Sequence, residues 1–168
     1  KLKPMKKLLL ILLCVPLISM SQTSEDYYEE AANYARQSKW ELAIDNYTKS
    51  IKLQPDNAIA YYSRGVIYGR YLPNYEKAIS DFTKAIKIYP DYHAAFSDRG
   101  LVYALLGNYE KAISDFTKAI EINPNYARAY RNRGISKESA GLSYCSDYMK
   151  ACNLGKSECC EWYSNQCK

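Results

Sequence analysis

Six cysteines and a single histidine are the side chains of this 168-residue chain whose types could carry redox, metal or nucleophilic chemistry. Cys145, Cys152, Cys159, Cys160 and Cys167 crowd the C-terminal end, and Cys14 stands alone near the start. His93 is the one histidine, which leaves a histidine-based triad or a histidine metal cluster almost nothing to draw on. No Cys-x-x-Cys redox motif, haem-attachment motif or phosphate-binding glycine loop occurs. The adjacent Cys159-Cys160 pair and the seven-residue gaps from Cys145 to Cys152 and from Cys160 to Cys167 do not match the short ligand loops of structural zinc sites. Carboxylates are plentiful, but most fall where exposed helix faces require them. These residues point to disulfide chemistry and to no catalytic site, metal, cofactor or small-molecule substrate.

The formal charge of +5 hints at an anionic partner, and the hint fails on inspection. Lys1, Lys3, Lys6 and Lys7 lie in residues 1–21, which contain no acid; the remainder carries 19 basic against 18 acidic side chains. That balance gives no electrostatic case for nucleic acid. Lys6 and Lys7 precede the apolar run Leu8 to Met20, 13 residues long. A bilayer-spanning helix needs about 20 residues. A basic flank, a short apolar run and small polar residues describe a signal peptide over 1–21, cut after Ser21. The chain is then expected to be exported, periplasmic or secreted. A lipid-anchored form through Cys14 is the rival, weakened by Leu13 where a small residue belongs, and an uncleaved anchor is the third possibility.

An internal repeat organises the chain from residue 24 onward. The block Asn74 to Ile86 recurs unchanged at Asn108 to Ile120, an offset of 34 residues, and Pro55, Pro90 and Pro124 keep nearly the same spacing. Small and bulky residues recur at three- and four-residue intervals, which makes one helical face. Proline closes each second helix because it cannot continue the hydrogen-bond ladder.

Spacing and content together resemble the tetratricopeptide repeat. Residues 24–57 supply Tyr27, Ala31, Tyr34, Ala43, Tyr47, Ser50 and Pro55 at its signature positions; 58–92 supply Tyr61, Gly65, Tyr68, Ala78, Phe82, Ala85 and Pro90; 93–126 supply Phe96, Gly100, Tyr103, Ala112, Phe116, Ala119 and Pro124. A fourth unit, 127–155, opens with Tyr130 and Gly134 and then decays. The family's leucine at position 7 is absent; Glu30, Arg64, Arg99 and Arg133 stand there. Repeat two carries one extra residue near Leu72-Pro73-Asn74. The resemblance implies an all-α, right-handed superhelical solenoid of antiparallel helix pairs. Nine of the 18 tyrosines sit at core positions of these units and are read as packing.

After Gly141, Ser146 to Cys152 echoes Ser114 to Ile120, so Cys145 and Cys152 stand where Ile113 and Ile120 stood. Gly155 ends that helix, and 156–168 reads as a cysteine-rich capping helix over Ser157 to Cys167. Cysteines seven apart share a face. Facing residues of an antiparallel pair have numbers of constant sum, and Cys145 with Cys167 gives the same sum as Cys152 with Cys160. These bridges are therefore expected, as staples for a helix that burial alone could not hold. Cys159 is left over, as a free thiol, as an intermolecular bridge in a homodimer, or in exchange with Cys160 as the paired residue.

In the resembled family the first helices line a concave groove for a peptide. The resemblance places Tyr28, Arg36, Tyr62, Val66, Arg70, Asp98, Leu101, Arg128, Arg131 and Ile135 along that groove. Tyr62, Val66, Leu101 and Ile135 make an apolar stripe, and repeat four a basic end. The Lys and Asn with which some members grip a chaperone's terminal carboxylate are replaced by Tyr28 and Ala32. The expected function is a protein- or peptide-binding scaffold of a bacterial envelope. Self-assembly through the chain's ends or Cys159 is the alternative.

Overall fold

The computed structural model describes residues 22–167, apart from the side chains of 162, 163 and 166. The described residues form nine helices: α1 Ser24–Arg36, α2 Trp40–Leu53, α3 Ala58–Arg70, α4 Tyr75–Ile88, α5 His93–Leu105, α6 Tyr109–Ile122, α7 Ala127–Ser139, α8 Cys145–Asn153 and α9 Ser157–Gln166. They pack as consecutive antiparallel pairs, with each pair stacked on the next.

Local chemistry sets the ends of these helices. Thr23 caps α1 in a reciprocal capping box with Asp26. Asn57, Asn74 and Asn108 accept from the backbone N–H of Ala60, Lys77 and Lys111 at 3.0, 3.1 and 3.1 Å. At the far ends, Gln54, Tyr89 and Asn123 take extended ψ values of 88, 92 and 91°. Each precedes a proline, whose ring disfavours the helical region for the residue before it. Gly107 and Gly141 sit at φ 74 and 70° in the turns after α5 and α7, where a left-handed residue reverses the chain.

The extra residue of repeat two is absorbed in its turn, and α4 starts on the same kind of closing bond as its counterparts. Tyr34 and Tyr103 carbonyls accept from the N–H five residues on, at Lys39 and Asn108. The Tyr68 carbonyl accepts from Asn74, six residues on, at 2.8 Å, so that bond survives around a longer loop.

Close approach explains the alternation of small and large side chains. Ala43, Ala78, Ala85, Ala112 and Ala119 have no exposed surface, and Phe82 and Phe116 fill the space between helices. A Cβ placed on Gly65 would lie 2.9 Å from Cε1 of Phe82, so α3 and α4 meet as closely as they do only because position 65 is bare. The tyrosines behave less simply than the repeat pattern implies. Tyr47 and Tyr148 are buried, whereas most of the others are half-buried. Several of these carry a basic side chain over one ring face, such as Lys77 over Tyr68 and Lys111 over Tyr103 at 5.2 and 5.4 Å.

At the C-terminal end, the Cys145 and Cys167 sulfurs and the Cys152 and Cys160 sulfurs lie at bonding distance, 1.95 and 1.96 Å, the pairing expected from the antiparallel register of α8 and α9. Cys159 is free and 1% exposed, packed with Tyr148 and Ala151. A bridge from Cys159 to a second chain therefore needs α9 to lift away, and the alternative of a homodimer through Cys159 finds no support in this placement. The expected signal segment 1–21, with Cys14, lies outside the described residues.

Candidate peptide-binding groove

The first helices of successive pairs, α1, α3, α5 and α7, line one face of the stack, and polar side chains of α3 and α7 converge on Asp98 of α5. This carboxylate, on the second turn of α5, is 3% exposed. Its Oδ2 accepts the Tyr62 hydroxyl at 2.8 Å. Its Oδ1 accepts Nη2 of Arg70 at 2.9 Å and Nη2 of Arg128 at 2.8 Å. Side chains from α3 and α7 thus meet on one atom of α5. Arg128 also donates to the Tyr126 hydroxyl at 2.6 Å, and its Nε is buried without a partner among the described residues. Burial first, and then the Asp98 charge and hydrogen bond, push the Tyr62 phenol well above its usual range. Tyr92, tilted against Tyr62 with ring centroids 4.8 Å apart, is pushed up to about 12 by burial, then by Tyr28 and Asp98.

Beside this cluster opens a cleft of about 410 Å³, lined by α1, α2, α3 with Tyr71 just after it, and one side chain of α7. Its apolar wall is Trp40, Tyr71, Val66 and Ile67, with the Trp40 and Tyr71 rings stacked at 3.9 Å. Its polar wall holds Arg36, Arg70 and Arg128 with Tyr62 and Ser63.

A second set of arginines does something different. Arg64 donates Nε and Nη2 to the two oxygens of Asp81 at 2.9 and 2.8 Å, and Nη1 to the Thr48 hydroxyl at 2.8 Å. Arg99 repeats this with Asp115 and Thr83, and Arg133 with Asp147 and Thr117. Each guanidinium also lies over an aromatic ring, Tyr61, Phe96 or Tyr130, at 5.8, 5.6 and 5.6 Å. Each arginine therefore ties its own pair together and pins it to the second helix of the pair before. The replacement of leucine by arginine at this position is visible in the sequence, and so is the threonine 16 residues earlier in all three cases, but only the structure shows that they touch.

The profile of the TPR repeat matches residues 28–70, and two tetratricopeptide repeat profiles match 58–92 and 93–126. The chain belongs to the tetratricopeptide repeat family. No curated protein sequence gives a significant match. Among solved structures, the MamA protein is 28% identical with a TM-score of 0.74, over 80% of this chain and 74% of that one. The first TPR of Spaghetti (RPAP3), solved with the HSP90 peptide SRMEEVD, is 29% identical with a TM-score of 0.69, over 72% and 95%. The Arabidopsis OM64 TPR domain is 28% identical with a TM-score of 0.67, over 69% and 95%.

Within this TPR array, the expected groove residues separate into two places. Arg36, Tyr62, Val66, Arg70 and Arg128 line the cleft, with Asp98 directly behind Tyr62, Arg70 and Arg128. Tyr28 packs its ring on Tyr47 at 5.5 Å and stays outside the lining. Leu101 is half-buried and lines neither cavity. Arg131 and Ile135 belong to a separate cavity of about 330 Å³, closed on one side by Glu158 and Cys159 of α9. The single apolar stripe expected from Tyr62 to Ile135 along repeats two to four is thus interrupted: the capping helix takes one end, and Asp98 with its three donors divides the middle. His93 stands edge-on to Tyr126 at 4.9 Å, half-buried at the start of α5. Among the described residues, no group of three or more His, Cys, Asp or Glu side chains is placed to hold a metal ion.

Proposed function

We propose that this TPR protein is a non-enzymatic scaffold that binds a protein partner through an extended segment laid in the groove, centred on the cleft between Trp40 and Arg128. The observation that carries this reading is the cleft itself: an aromatic wall facing a row of guanidinium groups, with Asp98 fixing two of them. Side chains held this firmly lose little freedom on binding, which favours recognition over adaptive packing. A peptide bound to the structurally similar Spaghetti domain supports the same mode.

The site of action we propose is a bacterial envelope, in the periplasm or outside the cell. Support comes from the paired cysteines of α8 and α9, since disulfides persist in oxidising compartments, and from the basic-apolar pattern of residues 1–21. Fractionation of a bacterial host tests location; a product that stays in the cytoplasm with its N-terminus uncut removes it.

Binding is tested by selecting a displayed peptide library on the folded, oxidised protein. Enriched peptides should lose affinity for Tyr71→Ala, which strips the cleft's exposed aromatic wall, and keep it for Lys118→Ala on α6. No enrichment, or equal loss in both variants, defeats the groove reading.

A further inference from the structure

We infer that the cleft recognises a side-chain carboxylate of the partner segment, flanked by an apolar residue, with the carboxylate seated on Arg36, Arg70 and Arg128. The inference rests on the groove reading and adds its chemistry. Three guanidiniums line this cleft, and among the described residues the only carboxylate bonded to them is Asp98. Asp98 takes a single nitrogen from each of Arg70 and Arg128, which leaves most of their donors unused. Arg128 keeps a buried Nε without a partner among the described residues, and Arg36 makes no ion pair among them. Glu29 is exposed on α1 and does not line the cleft.

Excess positive charge beside an apolar wall is costly to leave half-desolvated, and an arriving carboxylate answers it with charge-assisted, two-pronged hydrogen bonds. Asp98 shows that a side-chain carboxylate fits between Arg70 and Arg128 while an aromatic ring packs alongside, here Tyr62. A second carboxylate approaching from the open side meets Arg36 and the free edges of the other two. The stacked Trp40 and Tyr71 rings, with Val66, then cover the neighbouring side chain. The occupant is a segment of polypeptide carrying an acidic residue beside an apolar one.

The test uses the full oxidised chain and fluorescein-labelled peptide pools, acetylated and amidated so that their ends carry no charge. The pools are random except for a central Glu-Leu, Gln-Leu or Lys-Leu pair. Fluorescence anisotropy should show the Glu pool binding about tenfold more tightly than the Gln pool, with the Lys pool weakest. The gap should narrow as salt is raised. Arg36→Gln, at an exposed position that makes no ion pair among the described residues, should close much of the gap between the Glu and Gln pools. Equal binding of the Glu and Gln pools overturns this inference and leaves the groove reading standing. Binding that appears only when the peptides carry a free terminal carboxylate overturns the side-chain assignment. No binding by any pool removes the groove reading, and this inference with it.

Discussion

Arg99 grips Asp115 through two parallel hydrogen bonds of 2.8 Å, Nε to Oδ2 and Nη2 to Oδ1, with both side chains largely out of water. Because Nη1 also holds Thr83 on the preceding α4, this one guanidinium couples two repeats. A buried pair of this kind contributes little net stability as a pair, yet removing one partner strands a charge. Asp115→Ala is therefore expected to cost about 3–5 kcal/mol in denaturant unfolding. Replacing both, as Arg99→Met with Asp115→Leu, should recover most of that loss. A double variant no more stable than the single one contradicts the ionic origin of the cost.

Two glycines of α3 should respond in opposite directions to the same substitution. A Cβ on Gly65 meets the Phe82 ring at 2.9 Å, and that ring is 1% exposed with nowhere to go. Gly65→Ala should destabilise by about 1–3 kcal/mol through overpacking. A Cβ on Gly69 finds Val102 Cγ2 at 3.4 Å, an ordinary contact, so Gly69→Ala keeps the helix-propensity gain of about 0.5–1 kcal/mol. Thermal melts of the two variants decide the point; a shift in the same direction would mean that α3 and α4 can slide apart.

The cap on the last repeat should depend on its two bridges. Among the described side chains of α9, Cys159 is the one fully buried, and Cys152–Cys160 and Cys145–Cys167 hold the helix at separations of 8 and 22 residues. Each should contribute about 2–4 kcal/mol. The intact mass is expected to rise by four hydrogens on reduction. Cys159, buried and with its thiol pushed up by that burial, should resist alkylation in the oxidised protein. After reduction it should label along with the four released thiols. Fast labelling before reduction would show that α9 is not seated as described.

Legibility tracked range along the chain. The helix pairs are written in contiguous pattern: the 13-residue block repeated at Asn74 and Asn108, and the prolines that close each second helix. The cysteine register was readable because two antiparallel helices impose a single arithmetic relation. Asp98 was placed on the groove face by its position in the repeat, but nothing local marks it as a hub. Its donors Arg70, Arg128 and Tyr62 lie 28, 30 and 36 residues away on other helices. Their meeting depends on how tightly the stack curves, which the periodicity of one repeat does not specify. The arginine ladder failed to emerge for a related reason: Arg64, Arg99 and Arg133 break the family's apolar pattern, and a charge at such a position has meaning only once its partner on another helix is known.

Alkaline pH should probe the aromatic layer around Asp98. The Tyr92 phenol, pushed up to about 12 by burial and then by Tyr28 and Asp98, titrates at about 10 in an unfolded chain. The native state therefore holds this proton more tightly than the unfolded state. That contribution is fully present below about pH 10 and is lost as pH rises through about 12. Tyr47, Tyr62 and Tyr148 are raised in the same direction, each chiefly by burial, and add to the effect. Unfolding free energy should stay level from neutral pH and then fall steeply in that window. The Tyr92 hydroxyl makes no hydrogen bond among the described residues, so Tyr92→Phe should be nearly neutral at pH 7 and should flatten the alkaline fall. Lysine deprotonation in the same window is common to both proteins and cancels in the comparison. Identical slopes for the wild type and Tyr92→Phe would show that Tyr92 ionises as freely in the fold as out of it.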